Sequence, residues 1–316
     1  ASEWLGAAQV DSAESLSFLT KSLPSDPPET VDLKDLERFF RNPAKYFFNQ
    51  RLKVYFETDQ SGSDEYEPFS VDKLSEYLLK DRYLQTALAG GDLDTLDHQV
   101  IAEGIMPLGY AGARQLASIR HESTVLAEKL SVLCDGQQNR REVDVALDKV
   151  HLVGWQRNWF DNRLVLARPA QINGRDRIIL WINHLAACAT LSSAPVEKSW
   201  YRGLSGQCGF IPLSPQDAKA ELNQLIDVFL DGQTRPLAFH PEIAWAFQKQ
   251  CDDDEDKARE KAEALFVGGY KQRSVGSDPY IARVYPHYQS FSAEVEALAA
   301  QLLTKPLALI EESGDE

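Results

Sequence analysis

The sequence predicts an α/β fold, a small central mixed sheet flanked by helices, and three observations lead there. Residues 31–135 carry apolar residues at helical spacing, interrupted by Gly and Pro. The period then shortens to two across REVDVAL, HLVGWQ and RLVLARP, predicting strands at 141–147, 150–156 and 163–168. RDRIILWINHLAACATLSS follows, apolar on nearly every side, which predicts a helix buried against those strands.

Each element has a local reason. Residues 1–30 form a lead-in ending in LPSDPPET, whose adjacent prolines predict a stiff extended linker, and 31–316 are expected to form one domain with helical additions. VDLKDLERFFRN opens a helix with Thr30 or Asp32 as N-cap. Asn42-Pro43 interrupts it, and AKYFFNQRLKVYF restarts behind Pro43. TDQSGSDEYEP is a polar loop. VDKLSEYLLKDRYLQTALAG is a helix with Leu74, Leu78, Leu79 and Leu88 at apolar spacing, ending at Gly90-Gly91. A short helix, a Gly/Pro loop and a longer helix closed by Gly136 lead to the strands.

Beyond the buried helix, KSWYRGLSGQCGFIPL reads as a strand or hairpin around a Gly-rich turn. Ser214-Pro215 to Gly232 bounds a capped helix. The acidic run Asp252–Asp256 fits a solvated loop or a helix N-terminus. SAEVEALAAQLLTKPLALI closes with an amphipathic helix and a short apolar tail.

Composition narrows the function. The chain has 316 residues, 43% hydrophobic and 26% charged, which excludes wholesale disorder. A formal charge of −15 argues against coating nucleic acid uniformly but leaves room for a local basic groove. No apolar run reaches the roughly 18–20 residues of a membrane span and no signal pattern opens the chain, so a soluble cytoplasmic protein is expected. Cys134, Cys188, Cys208 and Cys251 form no C-x-x-C pair and the six histidines no H-x-x-x-H, so no metal site is expected. The single methionine is Met106 and the chain opens at Ala1, which reads as part of something longer.

Between 33 and 55, six cations (Lys34, Arg38, Arg41, Lys45, Arg51, Lys53) face two acids (Asp35, Glu37), interleaved with aromatics. Arg41, Lys45, Arg51 and Lys53 are the DNA-binding candidates. Phe39, Phe40, Phe47 and Phe48 sit at helical spacing, where core packing is the commoner role. Trp155 reads as packing, whereas Trp159-Phe160 at a predicted turn are candidates for a partner surface.

LERFFRNPAKYFFNQRL, HLVGWQ, RLVLARP and RIILWINHLAACA together resemble the C-terminal domain of exodeoxyribonuclease V gamma subunits (RecC), with the likeness covering most of the chain. The resemblance implies a PD-(D/E)XK nuclease-like fold with a degenerate catalytic site. Active nucleases of that fold carry G-x-x-D on one strand and D/E-x-K on the next. Gly154 is kept here, but Arg157 stands at the first acid, Leu166 at the second and Arg168 at the lysine. The following helix, Ile179–Ile182, lacks the glutamine of active relatives. Mg²⁺ needs oxygen ligands: Arg157 repels the ion and Leu166 offers no donor atom.

The resemblance further implies a non-catalytic assembly and DNA-handling role in recombinational break repair. Its partners would be the alpha (RecD) and beta (RecB) subunits and forked DNA, with Mg and ATP used by other subunits and no cofactor bound here. The alternative is an active metal-dependent nuclease recruiting Asp144, Asp148 or Asp161. Asp148 and Asp161 look like turn residues, and Asp144 lies opposite Val143 and Val145 on a strand.

Overall fold

The computed structural model describes residues 18–19, 21–24, 26–56, 71–190, 195–269 and 274–314. The predicted polar loop 58–68 lies outside them, as does most of the lead-in. Within the lead-in, Phe18 packs 5.2 Å from the Phe48 ring and Leu23 N–H donates to Thr234.

The linker ends in a short strand that the sequence did not announce, β1 (Thr30–Asp32). Asp32 then caps α1 (Leu33–Arg41), its carboxylate accepting from Lys34 N–H at 2.7 Å. Asn42 ends α1 and caps α2 (Pro43–Tyr46) by accepting from Lys45 N–H at 3.0 Å, with Pro43 in the first turn where its missing N–H costs nothing. The chain continues as a π-helical turn, Phe47–Leu52, ended by Lys53 in the left-handed region at φ 57°. Phe39, Phe40, Phe47 and Phe48 are all buried, so core packing accounts for the aromatic half of this stretch.

Next come α3 (Lys73–Leu88), α4 (Leu93–Ala102) and α5 (Gly109–Leu133), with a small core of Leu79, Tyr83, Leu96, Val100, Leu116 and Ile119. Here the predicted apolar face of α3 is corrected. Leu74 and Leu78 are 55% and 57% exposed and Leu88 is also exposed, while Tyr83 and Leu84 share the buried side with Leu79. The inner face follows the neighbouring α5, with which α3 packs, rather than the densest leucine spacing.

The strands β2 (Gln138–Ala146), β3 (His151–Phe160) and β4 (Arg163–Ala167) follow, with Asp161 turning the β3–β4 hairpin at φ 51°. Helix α6 (Gly174–Ala189) crosses over to β5 (Lys198–Arg202), which hairpins into β6 (Gly206–Phe210). Fourteen of the sixteen α6 residues are buried, which makes it the central helix of the core. Helices α7 (Pro215–Asp231), α8 (Pro241–Cys251), α9 (Glu255–Val267), α10 (Pro279–Val284) and α11 (Gln289–Leu309) complete the layers. Ser214 caps α7 and Asp254, inside the acidic run, caps α9. The apolar tail is the end of α11, with Pro306 inside the helix, and from Ile310 the chain forms a strand, β7 (Ile310–Gly314), antiparallel to β6.

The sheet is mixed and seven-stranded, in the order β1-β3-β4-β5-β6-β7, with β2 on the other edge of β3. β1 runs parallel to β3, and β4 parallel to β5; the other pairs are antiparallel. The α/β class is as expected, and the sheet is larger than the three strands and a hairpin read from the sequence.

Candidate functional site

The site follows from how briefly β3 and β4 pair. Only Trp159–Leu164 and Phe160–Arg163 are in register, after which β4 joins β5 and β3 gives its edge to β1 at 151–153. A notch opens between Gly154 on β3 and Leu166 on β4. Gly154 is required there: its φ is 153°, and a Cβ would stand 3.0 Å from Leu33 Cβ at the start of α1.

β3 also carries a bulge. Asn139 faces Trp159 and Arg141 faces Gln156, so two steps on β2 match three on β3. Leu152 and Gln156 point inward, and the extra residue makes Trp159 the next inward side chain. Trp159 is 1% exposed, with the Arg141 guanidinium 3.7 Å above its ring, whereas Trp155 is 46% exposed. The expected placements of the two tryptophans are therefore reversed: Trp159 is packed inside rather than exposed at the turn, and Trp155 is the exposed ring. Phe160 packs partly buried against Leu84, Leu126 and Leu130.

Two polar networks fill the notch. In the first, Gln156 Nε2 donates to the Asn183 carbonyl at 2.7 Å and to its Oδ1 at 3.2 Å. Asn183 Nδ2 donates to Glu37 Oε1 at 2.9 Å and to Ile179 O at 2.9 Å. Lys34 Nζ reaches both Glu37 oxygens, at 2.9 and 3.0 Å. In the second, Arg168 Nη1 donates to both oxygens of Asp176, at 3.1 and 3.0 Å. Tyr201 Oη and Asn173 N–H donate to the same carboxylate, each at 3.0 Å. Burial and the charge of Asp176 raise the Tyr201 phenol, so it stays a donor.

Glu37, Gln156, Asn183 and Asp176 are all buried. Each carboxylate carries its own cation, and its oxygens are taken by protein donors. These residues do not fit a Mg²⁺ site, because the ion would have to displace Lys34 and Arg168 before it found oxygen ligands. Among the described residues, no three His, Cys, Asp or Glu side chains converge as metal ligands.

The predicted site residues divide. Arg157 is exposed on β3 and Leu166 is partly buried against the main core, while Arg168 is the one that joins a network. Of the alternative acids, Asp144 is exposed beside His151 at 3.6 Å, Asp148 N–H is held by Asn223, and Asp161 occupies the hairpin turn. Arg41 and Lys45 line one cleft together, whereas Arg51 donates to Pro24 O and Lys53 ends the π-helical turn. Sequence reading missed Glu37, Asn183 and Gln156. Glu37 had a signal: it shares the inner face of α1 with Leu33, Leu36 and Phe40, where a charge needs partners.

The family model of the RecC C-terminal domain matches residues 28–252. The chain is similar to the RecBCD enzyme subunit RecC of Escherichia coli K12, 29% identical over 97% of this chain and 28% of that protein. The RecC of Mycolicibacterium smegmatis is 27% identical over 80% of this chain and 24% of its own length. That of Haemophilus influenzae is 24% identical over 92% of this chain and 26% of its own. The chain spans about a quarter of the length of these relatives. With the family model matching well over half of it, the chain belongs to the RecC C-terminal domain family.

Proposed function

We propose that this chain is a non-catalytic assembly and DNA-handling part of a RecBCD-type enzyme, acting in recombinational repair of double-strand breaks in the bacterial cytoplasm. Its fold is read as PD-(D/E)XK nuclease-like, with the catalytic positions at Arg157, Leu166 and Arg168 degenerate. The observation that carries this reading is the filled notch: Glu37 and Asp176 are neutralised by Lys34 and Arg168 and hydrogen-bonded by Asn183, Tyr201 and Asn173. A nuclease of this class needs carboxylates open to an ion, and a buried pair holds its charge only while partnered. The segment binds no metal or nucleotide itself, and the partners are the RecB- and RecD-type subunits named in the relatives' enzyme.

Two measurements test it. Incubation of the purified chain with linear duplex and single-stranded DNA in Mg²⁺ is expected to give no cleavage above buffer. Cleavage that chelation stops and Asp144→Asn removes would replace this reading with a nuclease using non-standard acids. Calorimetric titration with the cognate RecD-type subunit is expected to show submicromolar binding; its absence would remove the assembly half.

A further inference from the structure

Along α1 lies an open cleft of about 280 Å³, walled by α1, α2, the π-helical turn and the first turn of α6. Four cations line it, Arg38, Arg41, Lys45 and Arg175, against one acid, Asp278. In a chain of net charge −15 this concentration is local and against the trend.

The protein uses these cations only in part: Lys45 Nζ stands 5.6 Å from the centre of the Tyr280 ring. Arg38 pairs with Asp35 at 2.6 Å, but among the described residues Arg41, Lys45 and Arg175 have no carboxylate within salt-bridge distance. Asp278 is spent as the N-cap of α10, taking Tyr280 N–H at 3.0 Å and Ile281 N–H at 3.3 Å on one oxygen. Its other oxygen takes Asn42 Nδ2 at 3.3 Å. Arg175 is steadied by a neutral acceptor, His240 Nε2, at 2.9 Å. Burial, with the Arg175 charge beside it, drops that imidazole to about 3, so it accepts without carrying charge. The Asn49 amide reaches the cleft wall, and among the described residues its buried oxygen has no hydrogen-bond partner.

Three cations held near one another repel unless an anion enters, and guanidinium groups match a phosphate's paired oxygens geometrically. The cleft falls just below the roughly 300–1,000 Å³ of sites that engulf a small molecule. It suits one phosphoryl group on a chain that passes outside. A surface otherwise acidic would repel a long duplex track, and one phosphate of a flexible strand meets the cations alone.

We propose that this cleft is a phosphate-binding site in which Arg41, Lys45 and Arg175 hold one backbone phosphate of a single nucleic-acid strand. The proposal rests on the DNA-handling reading above and names where that handling occurs. Free phosphate presents the same chemistry, and the experiment separates the two.

Fluorescence anisotropy of a labelled oligothymidylate is followed against the intact chain at several salt concentrations. Three cations on a single strand predict a slope of log affinity on log salt of about −2. Arg41→Gln and Lys45→Gln are each expected to weaken binding about tenfold, as for loss of a charged hydrogen bond, and to flatten the slope by about 0.7. Arg175→Gln is expected to do the same, with its melting curve recorded because His240 loses a neighbour; Lys45, being exposed, keeps the test valid if that variant unfolds. Inorganic phosphate at constant ionic strength is expected to displace the strand from the unaltered chain. Equal losses in Arg51→Gln and Lys53→Gln, outside the cleft, would overturn the proposal in favour of a diffuse basic stretch while leaving DNA handling intact. Phosphate binding that Arg41→Gln abolishes, with no strand binding, would overturn the strand as ligand. Absence of both would remove the DNA-handling reading as well.

Discussion

The notch and the cleft share α1 and treat charge in opposite ways. At the notch, Glu37 and Asp176 are buried, and each is matched by a cation and by neutral donors until no oxygen is free. At the cleft, Arg41, Lys45 and Arg175 lack carboxylate partners among the described residues, and the one acid lining it, Asp278, is occupied elsewhere. A closed network holds the fold together; an open cluster is tolerable only near water, where screening limits repulsion and a ligand can enter. The contrast teaches that buried carboxylates closed on their own cations leave no opening for a metal ion, whereas cations without carboxylate partners leave an opening for an anion.

The comparison breaks most readily at Asp176. Asp176→Ala strands Arg168 in the notch, with a quarter of its side chain exposed, and is expected to cost about 3–5 kcal/mol in urea unfolding. Arg168→Met with Asp176→Leu should recover most of that. A single variant no less stable than the parent would mean that the pair contributes nothing to the closed side.

Acid probes the closed interior as a whole. Burial holds His184 at about 4 and, with Arg175, His240 at about 3, against an ordinary value of 6.5. The unfolded chain therefore takes up protons below 6.5 that the folded one refuses. Stability is full above about 6.5 and falls with pH toward the folded values, by about 2–3 kcal/mol for each imidazole between pH 6.5 and 4.5. Denaturation curves across that range give the slope directly, and a flat profile would show that neither ring is buried neutral.

Gln156→Leu should cost about 1–3 kcal/mol by leaving Asn183 acceptors unpaired, without unfolding the sheet. An unchanged midpoint would mean that water replaces the amide and the notch is wetter than its burial implies. The smallest effects belong to the open surfaces. Lys45→Gln in the cleft, and Leu74→Ser or Leu78→Ser on α3, should each move stability by less than about 0.5 kcal/mol. A larger drop at Lys45 would place that cation in the fold rather than in binding. If Leu74→Ser and Leu78→Ser instead weaken capture by a RecD-type subunit, the exposed leucines become the assembly face.

Much of the local structure was written in short signals. Asp32, Asn42-Pro43 and Ser214-Pro215 set helix starts, because a side-chain acceptor and a pre-set φ act within one turn. The alternation of Val143 and Val145, and the apolar run of α6, announced a sheet with a buried helix on it. β1 and β7 were not legible: three residues after a proline linker, and IEESG after a helix, become strands only because β3 and β6 offer free edges. The leucines of α3 misled because its inner face is chosen by α5, and a few apolar residues on the outer side are ordinary.

By itself, then, the sequence determined the α/β class, most helix starts and the presence of Arg157 and Leu166, neither of them an acid, at the second and third strands of the predicted cluster. Those depend on residue identity and on contacts within a turn or a strand period. Only the tertiary structure decided that a bulge turns Trp159 inward and Trp155 out, and that Glu37, Gln156 and Asn183 meet across 146 positions of sequence. It also decided that Arg175 joins Arg41 and Lys45 around one cleft. Charges distant in the chain become partners or remain open only when packing fixes their separation, and burial then sets what each arrangement costs.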